Sequence, residues 1–307
     1  MADIIALLYL LITLHTSGID ISEQVFMQQV ITDIQISGIE ATKNRLENDL
    51  TIALAEAKNE TPVETPVETP VENPDINGID PKTLDYEKEL KNLGYYKVES
   101  DDTNLNLRNA ILRFQSNCNL TVDGIWGKES LEALILQLGT GNSFCMDVID
   151  APPSTGKWLV INKSKRNLTL YENKVIVKKY PVAIGNPPSL TPNGKFTIFS
   201  KVVNPAWGGG GYARPVKGGI PANPLGYRWL GLSYKTGDEL GVHGNNTPYS
   251  IGKNISHGCI RMINSDVEEL FEIVPRSANV WIGDDAILKE WGIEQKEYTS
   301  FIDKYVE

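Results

Sequence analysis

The sequence predicts a multidomain protein of mixed α and β structure, in which a β-rich domain follows a small three-helix domain and an N-terminal helical segment. Three observations support this prediction. Apolar residues recur at helix-like intervals in residues 1–58 and again in residues 79–140. A proline-rich repeat separates these two stretches, and short strand-like runs divided by turns fill residues 157–285.

The composition is typical of a globular, loop-rich protein. The chain has 307 residues, of which 41% are hydrophobic, with 26 Gly and 17 Pro. A formal charge of −10 leaves no excess of basic surface. Nucleic acid is therefore not an expected partner.

The N-terminal segment, residues 1–58, opens with an apolar run from Ile4 to Ile12. This run is shorter than the roughly 20 residues that span a bilayer. Asp3 and the absence of Lys or Arg before the run depart from the secretory pattern. Two interpretations stay open: a signal or membrane anchor, or an apolar helix that packs on another surface. The remainder of the segment is expected to form amphipathic helices.

Residues 59–78 form an acidic linker in which the sequence TPVE occurs three times between Thr61 and Glu72. Proline at every fourth position prevents helix formation, and the repeated glutamates repel one another. We expect a semi-rigid spacer.

Residues 79–140 are expected to form three short helices, and a turn with the sequence TVDGIWG connects the second and third. The sequence LRFQ on the second helix and Val122 to Gly127 on the turn resemble the three-helix peptidoglycan-binding module, although Arg113 directly precedes Phe114 without the usual spacer residue. The resemblance implies binding of cell-wall glycan. Its candidate wall-binding residues are Trp126, Asp123 and Gln115.

After a linker at residues 141–156, β-rich runs occupy residues 157–285. Strands are expected at Trp158–Ile161, Leu168–Tyr171 and Val175–Ile184, and then in the sequences GKFTIFSKVV, RWLGLSY and ANVWIG. One helix is expected from Asp266 to Ile273. Residues 286–307 are expected to form a helical tail.

The three cysteines are irregularly spaced and show no zinc-binding pattern. Cys118 and Cys145 are expected to be buried thiols, and a disulfide between them is conceivable only in an exported chain. Cys259 differs because two of the three histidines lie close to it in the sequence HGNNTPYSIGKNISHGCIRM.

A cysteine becomes a nucleophile when a base or a positive charge favours its thiolate. His257 precedes Cys259 by two residues, which separates them by about 6–7 Å in extended chain. His243 lies sixteen residues before Cys259 and can fold across onto it, so it is the better base. No acidic residue lies beside His243, and the carbonyl of Gly244 is expected to orient the ring. Gly258 leaves backbone amides available for an oxyanion, and Arg261 suits a substrate carboxylate.

The run Ser256-His257-Gly258-Cys259, followed by Arg261, resembles the signature of the L,D-transpeptidases, in which a His-Gly pair lies about fifteen residues upstream. The sequences TPNGKFTI and IPANPLGYRWLGL are also similar to that family. The resemblance implies acyl transfer on peptidoglycan stem peptides outside the cytoplasm, with His243 and Gly244 serving Cys259. It also implies that His257 and Gly258 shape an anion site. A 3→3 cross-link would be the product, and the reaction would need no metal or organic cofactor.

The same resemblance makes Asn223, Arg228 and Ser256 candidates for substrate binding, together with Arg261. Trp207 and Tyr212 are further candidates. They lie in a glycine-rich segment, VVNPAWGGGGYARPVKGG, which departs from the family pattern and is expected to form a flap at the substrate entrance.

Two other functions remain open. Water could resolve the same thioester, which would make the protein an L,D-carboxypeptidase that trims tetrapeptide stems. Alternatively, the β-rich domain could be inert and the chain a wall-binding scaffold.

Overall fold

The computed structural model describes residues 82–140, 146–153, 155–211, 213–234 and 240–297. The predictions for the N-terminal segment, the proline-rich linker, Cys145 and Tyr212 lie outside these residues. Within the described parts of the chain, every helix is too short or too polar to cross a lipid bilayer.

Three helices form the first part of the described chain: α1 (Tyr86–Asn92), α2 (Thr103–Asn117) and α3 (Lys128–Thr140). Asp85 and Asp102 cap the first two with their side chains, which accept from backbone N–H groups that have no partner within the helix. The apolar faces of the helices share one core that includes Leu90, Phe114 and Leu134. This arrangement confirms the predicted three-helix domain.

A nine-stranded sheet forms the second part of the described chain. Its strands are β2 (Lys157–Asn162), β3 (Asn167–Glu172), β4 (Val175–Gly185), β5 (Gly194–Val203), β6 (Arg228–Leu232), β7 (Gly241–His243), β8 (Asn254–Ser256), β9 (Ile260–Met262) and β10 (Asn279–Gly283). Their order across the sheet is β3-β2-β10-β5-β6-β7-β9-β4-β8. Strand β3 also pairs with β4, so the sheet closes on itself. Helix α4 (Asn264–Ile273) packs on β6 and β7.

Successive residues of the central strands β6, β7 and β9 project to opposite faces of the sheet. Leu230, Val242 and Ile260 lie on the inner face and are fully buried in the main core. This alternation fixes the register of the three central strands, because a slip of one residue would move their apolar side chains out of the core.

The C-terminal part differs from the helical tail that the sequence predicts. Helix α5 (Asp285–Glu290) is followed by strand β11 (Ile293–Lys296), which pairs antiparallel with β1 (Met146–Ile149). The two strands come from segments that looked like a linker and a tail. Ile149 and Ile293 are buried with Trp158 and Trp281 in a second core.

The helical domain packs directly on the β-rich domain. Leu112 of α2 and Val122 of the following turn are fully buried in a cluster with Ala183, Ile251 and Ile263. The first two residues come from the helical domain and the last three from the β-rich domain. The two domains therefore share an apolar interface.

Ion pairs reinforce this interface. The guanidinium of Arg113 binds both carboxylate oxygens of Asp266 on α4, with a shortest distance of 2.8 Å, and its Nη2 lies 2.7 Å from Glu99. Burial raises the pKa of Asp266 even though Arg113 opposes this effect. Burial would also raise the pKa of Glu99, but the charge of Arg113 and hydrogen bonds from Arg113, Ser265 and Asn109 give a net lowering.

Candidate active site

His243 lies at the end of β7, in the middle of a row of residues that face the same side of the sheet. The register pairs His243 with Trp229 on β6 and with Arg261 on β9. Paired residues of neighbouring strands project to the same face. The sheet therefore places an indole, an imidazole and a guanidinium side by side.

The ring of His243 is held in one orientation. Its Nδ1 lies 2.7 Å from the carbonyl oxygen of Gly244, so Nδ1–H is the donor in the neutral ring and Nε2 is left as the acceptor. The side chain is buried, which lowers its pKa to about 4; the Gly244 carbonyl opposes this shift and the charge of Arg261 adds to it. At neutral pH the ring is thus an uncharged base. The expected hydrogen bond to Gly244 is present.

Trp229 covers the imidazole, a contact that we did not predict from the sequence. The two rings stack with centroids 5.6 Å apart and an interplanar angle of 22°. Gly241 makes room for the indole, since a Cβ at that position would lie 2.5 Å from a ring carbon of Trp229. The alternation of side chains along β6 could have predicted this contact, because it places Trp229 on the same face as His243.

Cys259 directly precedes β9 and is half-buried. Because β7 and β9 run parallel with Val242 beside Ile260, Cys259 lies next to Gly241, two residues before His243. Burial raises the pKa of the thiol, while a hydrogen bond from the backbone N–H of Gly241 and the charge of Arg261 oppose this effect. The thiol, the imidazole and the guanidinium thus converge on one face.

The turn from Ser256 to Cys259 is fixed by internal hydrogen bonds. Buried Ser256 accepts from the N–H of Gly258 at 3.1 Å and donates to the carbonyl of Cys259 at 2.6 Å through the same Oγ. The N–H of Gly258 is therefore used within the turn. Of the amides that Gly258 was expected to leave uncovered, that of Cys259 is the better candidate for an oxyanion. The side chain of His257 is exposed.

Comparisons with known proteins agree with this arrangement. The family model described as "L,D-transpeptidase catalytic domain" matches residues 156–282. "Putative L,D-transpeptidase YqjB" of Bacillus subtilis is 37% identical over 142 residues, which cover 45% of this chain and 78% of that protein. "Putative L,D-transpeptidase YkuD" of Bacillus licheniformis is 38% identical over 146 residues, covering 48% of this chain and 77% of that protein.

The chain belongs to the L,D-transpeptidase family. Among solved structures, the L,D-transpeptidase from Xylanimonas cellulosilytica (residues 123–326) has a TM-score of 0.46 and 19% identity, covering 73% of this chain and all of that chain. A second family model, described as "Putative peptidoglycan binding domain", matches residues 80–134.

Two of the candidate substrate-binding residues, Asn223 and Arg228, contact other parts of the chain. Asn223 is completely buried, and its amide donates to the carbonyls of Pro205 and Lys217. It therefore braces its own loop. Arg228 neighbours Trp229 on β6 and so points to the other face, where its guanidinium lies 5.3 Å from the ring of Phe271.

Trp207 forms an isolated β-bridge with Val216, closed by two hydrogen bonds of 2.9 Å. This bridge joins two residues within the glycine-rich segment, one before and one after its four consecutive glycines. The indole of Trp207 is half-buried. A substrate contact at Trp207 stays a prediction.

The candidate wall-binding residues form the turn after α2. Buried Gln115 uses its amide to hold the turn: its Oε1 accepts from the N–H groups of Asp123 and Gly124, and its Nε2 donates to the Asp123 carboxylate. Trp126 stacks on Tyr86 with centroids 4.3 Å apart. Both side chains therefore shape the module from within, whereas Ile125 at the tip of the turn is 68% exposed.

Proposed function

We propose that this chain is a peptidoglycan L,D-transpeptidase that forms 3→3 cross-links through a Cys259 acyl-enzyme. The observation that carries the proposal is the convergence of Cys259, His243 and Arg261 on one face, with Nδ1 of His243 hydrogen-bonded to Gly244. The hydrogen bond leaves Nε2 as the acceptor for the thiol proton. Family membership supports the same chemistry.

In the first step, Sγ of Cys259 attacks the carbonyl carbon of the third residue of a tetrapeptide stem, and His243 takes the thiol proton. The raised pKa of the thiol and the lowered pKa of the imidazole favour a neutral pair at rest. Proton transfer therefore accompanies attack. The carbonyl–nitrogen bond to the terminal D-alanine then breaks, and His243 returns the proton to the departing amine.

In the second step, the side-chain amine of the third residue of a neighbouring stem attacks the thioester. A new amide bond forms, the carbon–sulfur bond breaks, and the amine proton passes through His243 back to Sγ. Arg261 holds a carboxylate of the stem, and the backbone amide at Cys259 stabilises the oxyanion in both steps. No cofactor takes part.

The wall is also the proposed partner of the helical domain. We assign residues 79–140 to wall binding and residues 157–285 to catalysis, and we place the protein outside the cytoplasm, where its substrate is found. The match to a peptidoglycan-binding family model supports this assignment. Membrane association through residues 1–58 remains a prediction.

The proposal is tested with a purified disaccharide-tetrapeptide and mass spectrometry of both protein and products. Wild type is expected to give a thioester adduct on Cys259 and a cross-linked substrate dimer that has lost one D-alanine. Cys259→Ala should give neither, and Cys118→Ala, which changes a buried thiol outside the site, should give both. Tripeptide without dimer would identify a carboxypeptidase, and a folded wild type without adduct would identify a wall-binding scaffold.

A further inference from the structure

Thr191 lies outside the residues that touch the proposed substrate, yet it is tied to the nucleophile turn. It is fully buried and begins the sequence TPNG that leads into β5. Its Oγ1 accepts from the N–H of Gly185 at 2.8 Å and donates to the carbonyl oxygen of Gly258 at 2.8 Å. One hydroxyl thus links β4 to the residue before Cys259.

The hydrogen bond from Thr191 to the Gly258 carbonyl also fixes the direction of the next N–H group, that of Cys259. In a trans peptide, the carbonyl of one residue and the N–H of the next point in opposite directions across the same plane. The peptide bond between Gly258 and Cys259 is trans. When Thr191 holds the Gly258 carbonyl towards the protein, the N–H of Cys259 must point the other way.

Gly258 needs such a restraint because of its backbone conformation. Its φ of +134° is accessible mainly to glycine, and a Cβ would lie 2.9 Å from the carbonyl oxygen of Leu190. A glycine can rotate its peptide plane at little steric cost. Hydrogen bonds therefore have to define the plane, with Ser256 at the N–H of Gly258 and Thr191 at its carbonyl.

Thr191 is itself held in place. Buried Lys163 donates from Nζ to the carbonyl of Thr191 at 3.1 Å and lies 3.5 Å from the carbonyl of Pro188. These contacts anchor the short 3-10 turn Pro188–Leu190 that passes beneath Gly258. The hydroxyl of Thr191 is therefore presented from a fixed backbone.

We propose that Thr191 is a positioning residue that orients the Cys259 amide towards the oxyanion of the transition state. The inference rests on the proposed acyl-transfer function. Donors preset for a developing oxyanion lower the barrier because no reorganisation is needed during reaction. Thr191 would act on the chemical step while leaving the thiol and its base unchanged.

The test compares Thr191→Val, which keeps the shape but removes the hydroxyl, with Thr191→Ser, which keeps the hydroxyl. Thr191→Val is expected to slow acyl-enzyme formation from the tetrapeptide by about 10- to 100-fold in kcat with little change in KM. Thr191→Ser should stay within about threefold of wild type. Thr169→Val is the matched control, because Thr169 is also buried and its hydroxyl accepts from Gln295 on β11.

A second readout separates positioning from general damage. Alkylation of Cys259 by iodoacetamide forms no oxyanion, so Thr191→Val should be alkylated at the wild-type rate. Wild-type acylation by Thr191→Val, or alkylation that falls in parallel with acylation, would overturn the inference. If Thr191→Val does not fold, Thr191→Ala serves in the same comparison. A wild type that alkylates but never acylates would instead contradict the proposed function.

Discussion

The indole of Trp229 stacks on the imidazole of His243, with ring centroids 5.6 Å apart. This contact covers the side chain that we propose as the base. Burial is the main cause of the lowered pKa of His243, about 4. A neutral imidazole at pH 7 can accept the thiol proton, so the stack prepares the ring for its task as well as holding it.

Trp229→Leu is expected to expose the imidazole and raise its pKa towards the ordinary value of about 6.5. The acid limb of acyl-enzyme formation should therefore move from near pH 4 towards pH 6.5, because the protonated ring cannot accept the thiol proton. The rate at pH 7 should fall about 10- to 100-fold through misplacement of the ring. Trp229→Phe keeps an aromatic cover and should retain most activity. An acid limb unchanged in Trp229→Leu would remove the role given to the stack.

The neutral state of the thiol can be measured without substrate. Because burial raises the pKa of Cys259, its alkylation by iodoacetamide should rise with pH to a midpoint above that of an ordinary thiol, about 8.5. Peptide mapping by mass spectrometry would follow Cys259 alone. A plateau already below pH 7 would indicate a preformed thiolate–imidazolium pair and contradict the neutral pair.

The charge of Arg261 should also affect how the alkylation rate of Cys259 depends on pH. Its guanidinium lowers the pKa of Cys259, so Arg261→Met should slow alkylation at pH 8, whereas Arg261→Lys should stay closer to wild type. Arg261→Lys also loses the bidentate geometry that suits a carboxylate. We therefore expect it to raise KM for the stem peptide. Equal alkylation rates in Arg261→Met and wild type would exclude the electrostatic effect.

The ion pair between Arg113 and Asp266 should support the interface between the two domains. Asp266 is 1% exposed, so Arg113→Met would leave a buried carboxylate without its main partner. The free energy of unfolding in urea should fall by about 3–5 kcal/mol. Lys128→Met breaks an exposed pair with Glu132 and should cost less than about 0.5 kcal/mol. Equal effects of the two variants would show that the buried pair adds nothing.

Substitutions in the turn after α2 should affect stability and wall binding differently. Trp126→Ala removes the stack on Tyr86 and a contact with Phe114, so it should destabilise the protein by about 3 kcal/mol. Ile125→Ser changes an exposed tip and should keep stability within about 0.5 kcal/mol while weakening co-sedimentation with purified sacculi. Val98→Ser, at an 82% exposed site, is the control. Unchanged sedimentation of Ile125→Ser would argue against wall contact at the tip.

The strands and helices of the core were largely predictable because their signals are local. The sequence GKFTIFSKVV forms β5 over the same ten residues, and the predicted helix at Asp266–Ile273 begins only two residues earlier. Strand β11 was missed because its partner β1 lies far away in the sequence and neither segment has a strong pattern of its own. Pairing over that distance leaves little trace in a single sequence.

The sequence by itself places His243, Gly258 and Cys259 within seventeen residues of one another. Their residue types determine what chemistry they can perform. Only the tertiary structure decided which other side chains contact and orient these residues. In the sequence, Arg113 departs from a helix motif; in the structure, it binds Asp266, which lies 153 residues away on α4. Trp229 and Thr191 reach the site only through strand register and a buried hydrogen bond. Composition cannot specify such contacts, because they depend on which backbone segments the folded sheet brings together.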